Sequence, residues 1–116
     1  MSVLIATNDS PEGQAALKTG VAEAELRGLP VLWMNLGDRP VDTSLLPAGA
    51  REVPRPAHLD AVDALLDAAA AEDVALIALG VRQRSRVGKL LLGSAVQRIV
   101  LESTVPVIAV KPQRSE

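Results

Sequence analysis

The chain has 116 residues, a net charge of −2, one His, one Trp and no Cys. This length suits a single domain spanning residues 1–116, and a hydrophobic content of 48% argues against intrinsic disorder. The lack of Cys excludes disulfides and thiolate metal sites, and one His excludes a multi-histidine metal centre. A slightly acidic chain without Phe or Tyr lacks the basic surface and aromatic platform of nucleic-acid-binding domains, so we expect no nucleic-acid partner.

Two features of the sequence bear on cellular location. The first residues, Met1–Ile5, lack the basic segment that precedes the apolar stretch of a secretory signal peptide. No apolar run reaches the roughly 20 residues that a membrane-spanning helix needs. We therefore expect a cytoplasmic protein with no membrane partner.

The first third of the chain reads as a strand, a helix and a second strand. Val3–Ala6 is a short apolar run typical of a strand that is buried on both faces. Ser10 followed by Pro11 predicts the start of a helix, because Ser caps the first turn and Pro fits the first helical position. Gly28 predicts the end of that helix, and Val31–Met34 is the second strand.

The middle of the chain interrupts this alternation. Residues 37–56 show no sustained period and contain four Pro. Within them Arg51–Val53 is a candidate edge strand, with irregular loop as an equal alternative. A helical pattern of apolar residues begins at Leu59, and Val74–Leu79 is a continuous apolar run that predicts another buried strand.

The last elements are a helix and a strand. Ser94 and Gln97 have the spacing of a capping box, with Ser as the N-cap and Gln in the third helical position. Ile99 and Val100 are expected on the buried face of this helix. Val105–Val110 predicts the final strand.

The alternation predicts an α/β fold: an open, mainly parallel twisted sheet of about five strands, with helices on both faces and one intermediate helix missing. Ligands of such sheets bind beyond the carboxyl ends of the strands, where the strand order reverses. The loops Thr7–Ser10 and Gly80–Ser94 are therefore the candidate ligand-binding segments.

Several familiar motifs are excluded. Gly88-Lys89 looks like the end of a phosphate-binding P-loop, but that motif needs Gly where Gln83 stands and Ser or Thr where Leu90 stands. The loop after the first strand has no Gly for a dinucleotide fingerprint. His58 is the one candidate base, and it lies near a helix start away from both loops. We therefore expect no catalytic residues and no metal ligands.

The segment from Gly80 to Ser94 reads GVRQRSRVGKLLLGS. Its spacing, between a strand and the last helix, resembles the universal stress protein family, whose nucleotide-binding members carry Gly-x2-Gly-x9-Gly-Ser/Thr there. The resemblance runs from Val3 to Lys111 and includes Ser10-Pro11-Glu12 and Val105-Pro106-Val107. It implies an open α/β fold of the adenine nucleotide alpha hydrolase-like type and a role in the stress response.

By this resemblance the chain would bind ATP or AMP without efficient turnover, with Mg²⁺ held through the phosphates. Gln83 stands in place of the middle Gly of the motif, and Asn8 in place of the usual acid after the first strand. These departures leave open a site that has lost nucleotide binding and has no cofactor. The implied nucleotide-binding residues are Ala6, Thr7, Asn8, Asn35, Gly80, Arg82, Gln83, Arg84, Gly93, Ser94 and Ala95.

The resemblance also implies a homodimer in which the last strands pair across a two-fold axis. Its interface would comprise Val107, Ile108, Ala109 and Val110. Three functions stay open: a nucleotide-binding stress-response module, a relative that acts through protein–protein contacts without nucleotide, and an enzyme such as an ATPase. The lack of an acid–base pair at the predicted crevice argues against an enzyme beyond weak ATP hydrolysis.

Overall fold

The computed structural model describes residues 1–82 and 92–112. These residues form one five-stranded sheet in the order β3-β2-β1-β4-β5, and every neighbouring pair of strands is parallel. The α/β prediction is therefore confirmed. The elements, in chain order, are β1 (Ser2–Thr7), α1 (Pro11–Arg27), β2 (Val31–Asn35), β3 (Arg51–Glu52), α2 (Ala61–Ala71), β4 (Val74–Gly80), α3 (Ser94–Glu102) and β5 (Val107–Val110).

Strand β1 is the centre of the sheet. It pairs with β2 on one side and β4 on the other, and all six of its residues are buried. Its side chains alternate between two apolar clusters. Val3 and Ile5 pack with α1 on one face, whereas Leu4 and Ala6 pack on the other face in a cluster with residues of α2 and α3. Burial on both faces explains why the sequence of β1 is continuously apolar.

Helix α1 begins and ends as its sequence predicts. Ser10 is the N-cap, and its side chain accepts a hydrogen bond from the Gly13 N–H at 3.0 Å. Pro11 occupies the first turn. Gly28 ends the helix with φ of 66°, the left-handed conformation that glycine adopts without a steric cost.

The segment between β2 and α2 contains only a short strand. Arg51 pairs with Leu32 and Glu52 with Trp33, so the edge-strand alternative is correct for these two residues. Val53 follows the strand, is buried, and donates a hydrogen bond to the Trp33 carbonyl at 2.8 Å. A helix does not intervene between β2 and β3, as the sequence pattern indicated.

Three sequence expectations for the last two elements were wrong. Gly93, not Ser94, is the N-cap of α3, and no side chain among the described residues caps this helix. Gln97 instead donates through Nε2 to the Leu92 carbonyl at 3.0 Å. Val100 is 46% exposed because α3 presents Ile99 to the core instead. Strand β5 begins at Val107, two residues later than predicted.

The length and polarity of the helices show whether any of them could span a membrane. None of the helices in residues 1–82 and 92–112 is long and apolar enough to cross a bilayer.

Truncation of a buried strand residue tests this description of the core. Ile77 on β4 is fully buried, so Ile77→Ala removes apolar contacts and leaves a cavity. We expect a loss of about 2–5 kcal/mol in the free energy of unfolding, measured by urea denaturation. Leu101→Ala is the control, because this side chain is 82% exposed, and it should change stability by about 0.5 kcal/mol or less. Equal losses in both variants would contradict the assignment of the core.

Candidate functional site

A cleft of about 350 Å³, the strand-end cleft, opens beyond the carboxyl ends of β1 and β4. These strands are adjacent, and their crossover connections run to opposite sides, which is where ligands bind in open parallel sheets. Ala6, Thr7 and Asn8 line the cleft from the end of β1. Both loops that the sequence singled out contribute residues to it.

The other described walls come from β4 and from the starts of α1, α2 and α3. Gly80 and Arg82 line the strand-end cleft from the end of β4. Gly93 and Ala95 line it from the start of α3. Seven of the predicted binding residues are thus brought together around one cavity, although they are spread over almost ninety positions of the sequence.

Thr7, at the floor of the cleft, links the end of β1 to the first turn of α1 and to the residue after β2. Its side chain is buried, and its Oγ1 donates a hydrogen bond to the Gly13 carbonyl in the first turn of α1 at 2.8 Å. Its carbonyl accepts a hydrogen bond from the Leu36 N–H at 2.8 Å. The Thr7 hydroxyl proton is therefore already used within the protein, and the residue positions the helix start.

The loop after β1 is fixed by a second set of hydrogen bonds. The Ser10 hydroxyl donates to Asn8 Oδ1 and accepts from the Gly13 N–H. Asn8 therefore presents its carboxamide N–H₂ group as its remaining donor, and no partner for this group is found among the described residues. An amide in this place donates hydrogen bonds to neutral acceptors, whereas a carboxylate there would accept them.

Two glycines allow α1 to start next to the strand ends. A Cβ added to Gly80 would lie 2.1 Å from the Glu12 carbonyl oxygen, and one added to Gly13 would lie 2.1 Å from the Asn8 carbonyl oxygen. Both distances are far below any van der Waals contact. The family resemblance implies a nucleotide-binding role for Gly80, and the geometry adds that helix packing alone already requires glycine there.

Glu12 is a lining residue that the sequence analysis missed as part of the site. It is half-buried in the first turn of α1, where an acid also favours the start of a helix. Glu12 and Arg82 are the charged residues among those described around the strand-end cleft, so their formal charges cancel. The apolar lining, which includes Leu36, Val62 and Ile99, was also missed because its periodicity indicated only a helix or strand core.

Two other predicted binding residues lie outside the described lining. Asn35 uses its side chain in its own loop: Oδ1 accepts from the Gly37 N–H at 2.9 Å and Nδ2 donates to the Arg39 carbonyl at 2.8 Å. Ser94 is exposed on the first turn of α3. The structure therefore does not place these two side chains with the other seven.

The remaining predicted residues, Gln83 and Arg84, lie outside the described residues. Among the residues that are described, no group of three or more His, Cys, Asp and Glu side chains has the arrangement of a metal site.

Parallel strands in the order β3-β2-β1-β4-β5, with a cleft at the ends of β1 and β4, define an α/β domain of the open-sheet class. Comparison with known proteins identifies the family. A model described as the universal stress protein family matches residues 49–111, more than half of the chain. A universal stress protein of Mycolicibacterium smegmatis is 36% identical over 126 aligned positions, covering 95% of this chain and 97% of that protein. The chain belongs to the universal stress protein family.

Solved structures agree with this assignment. The structure of a universal stress protein from Archaeoglobus fulgidus has a TM-score of 0.79 and 27% identity, and the match covers 96% of this chain and 98% of that one. A structure of the universal stress protein from the same organism in complex with dAMP has a TM-score of 0.71 and 22% identity, with the same coverage.

The contact between β4 and α1 gives a direct test of the site geometry. Gly80→Ala places a methyl group against the Glu12 carbonyl, and we expect a loss of about 1–3 kcal/mol in the free energy of unfolding. Gly37→Ala is the matched control, because its Cβ would meet the nearest atom at 3.4 Å. It should cost about 0.5 kcal/mol or less by urea denaturation. A Gly80→Ala variant as stable as the control would contradict the close approach.

Proposed function

We propose that this protein is a stress-response module that binds an adenine nucleotide, ATP or AMP, in the strand-end cleft without efficient turnover. The observation that carries the proposal is the convergence of the ends of β1 and β4 with the start of α3 on a single cavity. Its volume of about 350 Å³ lies within the range of small-molecule sites. The dAMP complex of the Archaeoglobus fulgidus relative supports an adenine nucleotide as the ligand.

The described walls of the cleft suit the two halves of such a ligand. Apolar side chains, among them Leu36 and Val62, can cover the faces of a base, and the Asn8 amide can donate to a ring or ribose acceptor. Gly93 and Ala95 are at the N-terminus of α3, where backbone N–H groups and the helix dipole favour a phosphate. Mg²⁺ would be held through the phosphate oxygens.

The same walls support binding rather than catalysis. Glu12 is the single carboxylate in the described lining, and no second acid or base accompanies it. His58 is exposed and is not among the described lining residues. We propose that the protein is not an enzyme and that ATP hydrolysis is at most weak. The cytoplasmic location stays a prediction from the sequence.

One observation favours a second function, in which a universal stress protein without nucleotide acts through protein contacts. Hydrogen bonds within the fold already engage the Thr7 and Ser10 hydroxyls and the Asn35 amide. Fewer side chains are therefore available to a nucleotide than the sequence implied. The two functions differ in one measurable property, the affinity for nucleotide.

Calorimetric titration with ATP and Mg²⁺, and separately with AMP, decides between them. We expect micromolar binding by the natural protein. Gly93→Leu should weaken binding of both nucleotides by roughly a hundredfold, because the added side chain occupies the phosphate position, a change of about 2.7 kcal/mol. In the described residues nothing lies within 4 Å of the position of a Gly93 Cβ, so the fold should tolerate the substitution.

Ala70→Leu is the control for that variant. Ala70 is exposed in the C-terminal half of α2 and does not line the described part of the cleft, so a leucine there should leave affinity unchanged. No saturation at millimolar nucleotide by the natural protein would overturn the nucleotide proposal and favour action through protein contacts. Unchanged affinity in Gly93→Leu would overturn the proposed phosphate position.

We also propose that the protein is a homodimer joined by pairing of β5 strands. Strand β5 is at one edge of the sheet, and Val107, Ile108 and Val110 are only half-buried. The Pro106 carbonyl accepts a hydrogen bond from the Ile77 N–H of β4 at 3.0 Å, and the Val110 carbonyl accepts one at 2.7 Å from the N–H of Val81, the residue after β4. Since backbone groups alternate in direction along a strand, the N–H and C=O of Ala109 point toward the open edge.

A proline substitution tests this edge without changing the core. Ala109 is exposed, and Ala109→Pro removes an outward N–H, which edge strands tolerate but a pairing strand does not. In sedimentation velocity we expect a dimer for the natural protein and for the Ala109→Ser control, and a monomer for Ala109→Pro. Circular dichroism checks that the variant is folded. A dimer that survives in folded Ala109→Pro would remove β5 from the interface.

A further inference from the structure

Helix α3 forms one wall of the strand-end cleft but has few buried anchors. Ala95, Val96 and Ile99 line the cleft, and Ile99 is the buried residue of this helix. Val100 and Leu101 are 46% and 82% exposed. Packing of apolar side chains therefore leaves α3 more weakly held than α1, which buries five residues.

A charged cluster supplies the missing attachment. The guanidinium of Arg98 on α3 contacts three carboxylates, each through a different nitrogen: Nη1 lies 3.2 Å from Asp60 Oδ2, Nη2 contacts Asp63 Oδ1, and Nε lies 2.9 Å from Glu102 Oε2. We call these four residues the Arg98 cluster. It joins the start of α2 to α3, the two helices that form the same side of the cleft.

Asp60 Oδ2 contacts both the backbone of α2 and the Arg98 side chain of α3. Asp60 is the N-cap of α2, and its Oδ2 accepts from the N–H groups of Val62 at 3.0 Å and Asp63 at 3.3 Å. The same oxygen contacts Arg98, and Val62 itself lines the cleft. The position of α3 is thereby tied to the backbone of the first turn of α2 by a short, charge-assisted connection.

The Arg98 cluster contains one positive and three negative charges, so Arg98 is the residue that keeps its carboxylates together. One guanidinium faces three carboxylates, and without it Glu102 on α3 would repel Asp60 and Asp63 on α2. The hydrogen bonds with Asp63 and then Glu102 raise the pKa of Arg98 above its already high ordinary value, so the cation persists at every physiological pH. Individual exposed ion pairs contribute little, but this loss would leave three like charges together.

We propose that Arg98 is a positioning residue: it holds α3 against α2 and so sets the ligand affinity of the strand-end cleft without touching the ligand. Arg98 is not among the described residues that line the cleft. The inference rests on the proposed nucleotide-binding function. The role of Arg98 can be distinguished from ordinary packing, because the planar guanidinium makes three contacts that the ammonium group of Lys cannot reproduce.

The test uses three variants and two readouts. Arg98→Met keeps the aliphatic stem but removes the charge and the donors, Arg98→Lys keeps the charge alone, and Arg51→Met is the matched control. Arg51 makes an ion pair with Glu72 at 2.6 Å, is more exposed than Arg98 (55% of the side chain against 39%), and lies outside the described lining of the cleft. The readouts are hydrogen exchange of the α3 amides without ligand, and calorimetric titration with AMP.

In Arg98→Met we expect exchange of the α3 amides to rise roughly tenfold and AMP affinity to fall roughly tenfold, with β1 and β4 unchanged. Arg98→Lys should give an intermediate effect on both readouts, and Arg51→Met none. High salt should partly restore slow exchange in Arg98→Met, because it screens the repulsion between the carboxylates. If Arg98 contributed only packing, high salt would not restore slow α3 exchange in Arg98→Met.

Other results would overturn the proposal. Unchanged α3 exchange in Arg98→Met would show that the cluster does not hold the helix. Faster exchange with unchanged AMP affinity would show that the helix position does not set affinity. If the natural protein binds neither AMP nor ATP, the proposed function fails, and the effect on affinity fails with it; the exchange readout then reports separately whether Arg98 holds α3.

Discussion

The close approach of α1 to the ends of β1 and β4 is the contact on which the site depends. Gly13 and Gly80 have no Cβ, so the first turn of the helix lies directly against both strand ends. The Thr7 and Ser10 hydroxyls then fix that turn by hydrogen bonds to its backbone. The cleft is the space left beyond this junction, and its shape follows from backbone packing more than from the side chains that border it.

This construction has a chemical consequence for the cleft. The polar side chains nearest the junction form hydrogen bonds within it. Among the described residues, those facing the cavity then contribute backbone groups, the Asn8 amide and the opposite charges of Glu12 and Arg82. Such a lining suits a ligand recognised by its shape and by hydrogen bonds at a helix start.

The fold could be predicted from the sequence because each buried strand is a continuous apolar run and α1 carries clear start and stop residues. The site could be predicted only in part. The motif spacing predicted that Gly80 and Gly93 belong to one site, and both line the same cavity. The spacing could not show that the Asn35 amide forms hydrogen bonds within its own loop. Likewise, the Ser94–Gln97 spacing suggested a capping box, whereas Gly93 begins the helix and Gln97 turns back to Leu92.

These site predictions failed because a local sequence pattern indicates which hydrogen bonds a residue could make, whereas the tertiary fold determines which of them form. Glu12 illustrates the converse error. An acid in a first turn is so common that its position suggested only helix stability, and its place beside the cleft followed from β4 ending next to it. Groups brought together by tertiary packing leave no signature in either segment alone.

The two edges of the sheet differ, and this difference limits how copies of the chain can assemble. Strand β3 has two paired residues, with Pro54 and Pro56 soon after them, whereas β5 has four residues, of which Val107 and Ala109 direct their backbone groups outward. Joining two β5 edges leaves a β3 edge at each end of the enlarged sheet, too short and too rich in proline to recruit another strand. In the proposed dimer, growth by strand addition would stop at a closed pair, and the short β3 edges would then protect against fibre formation.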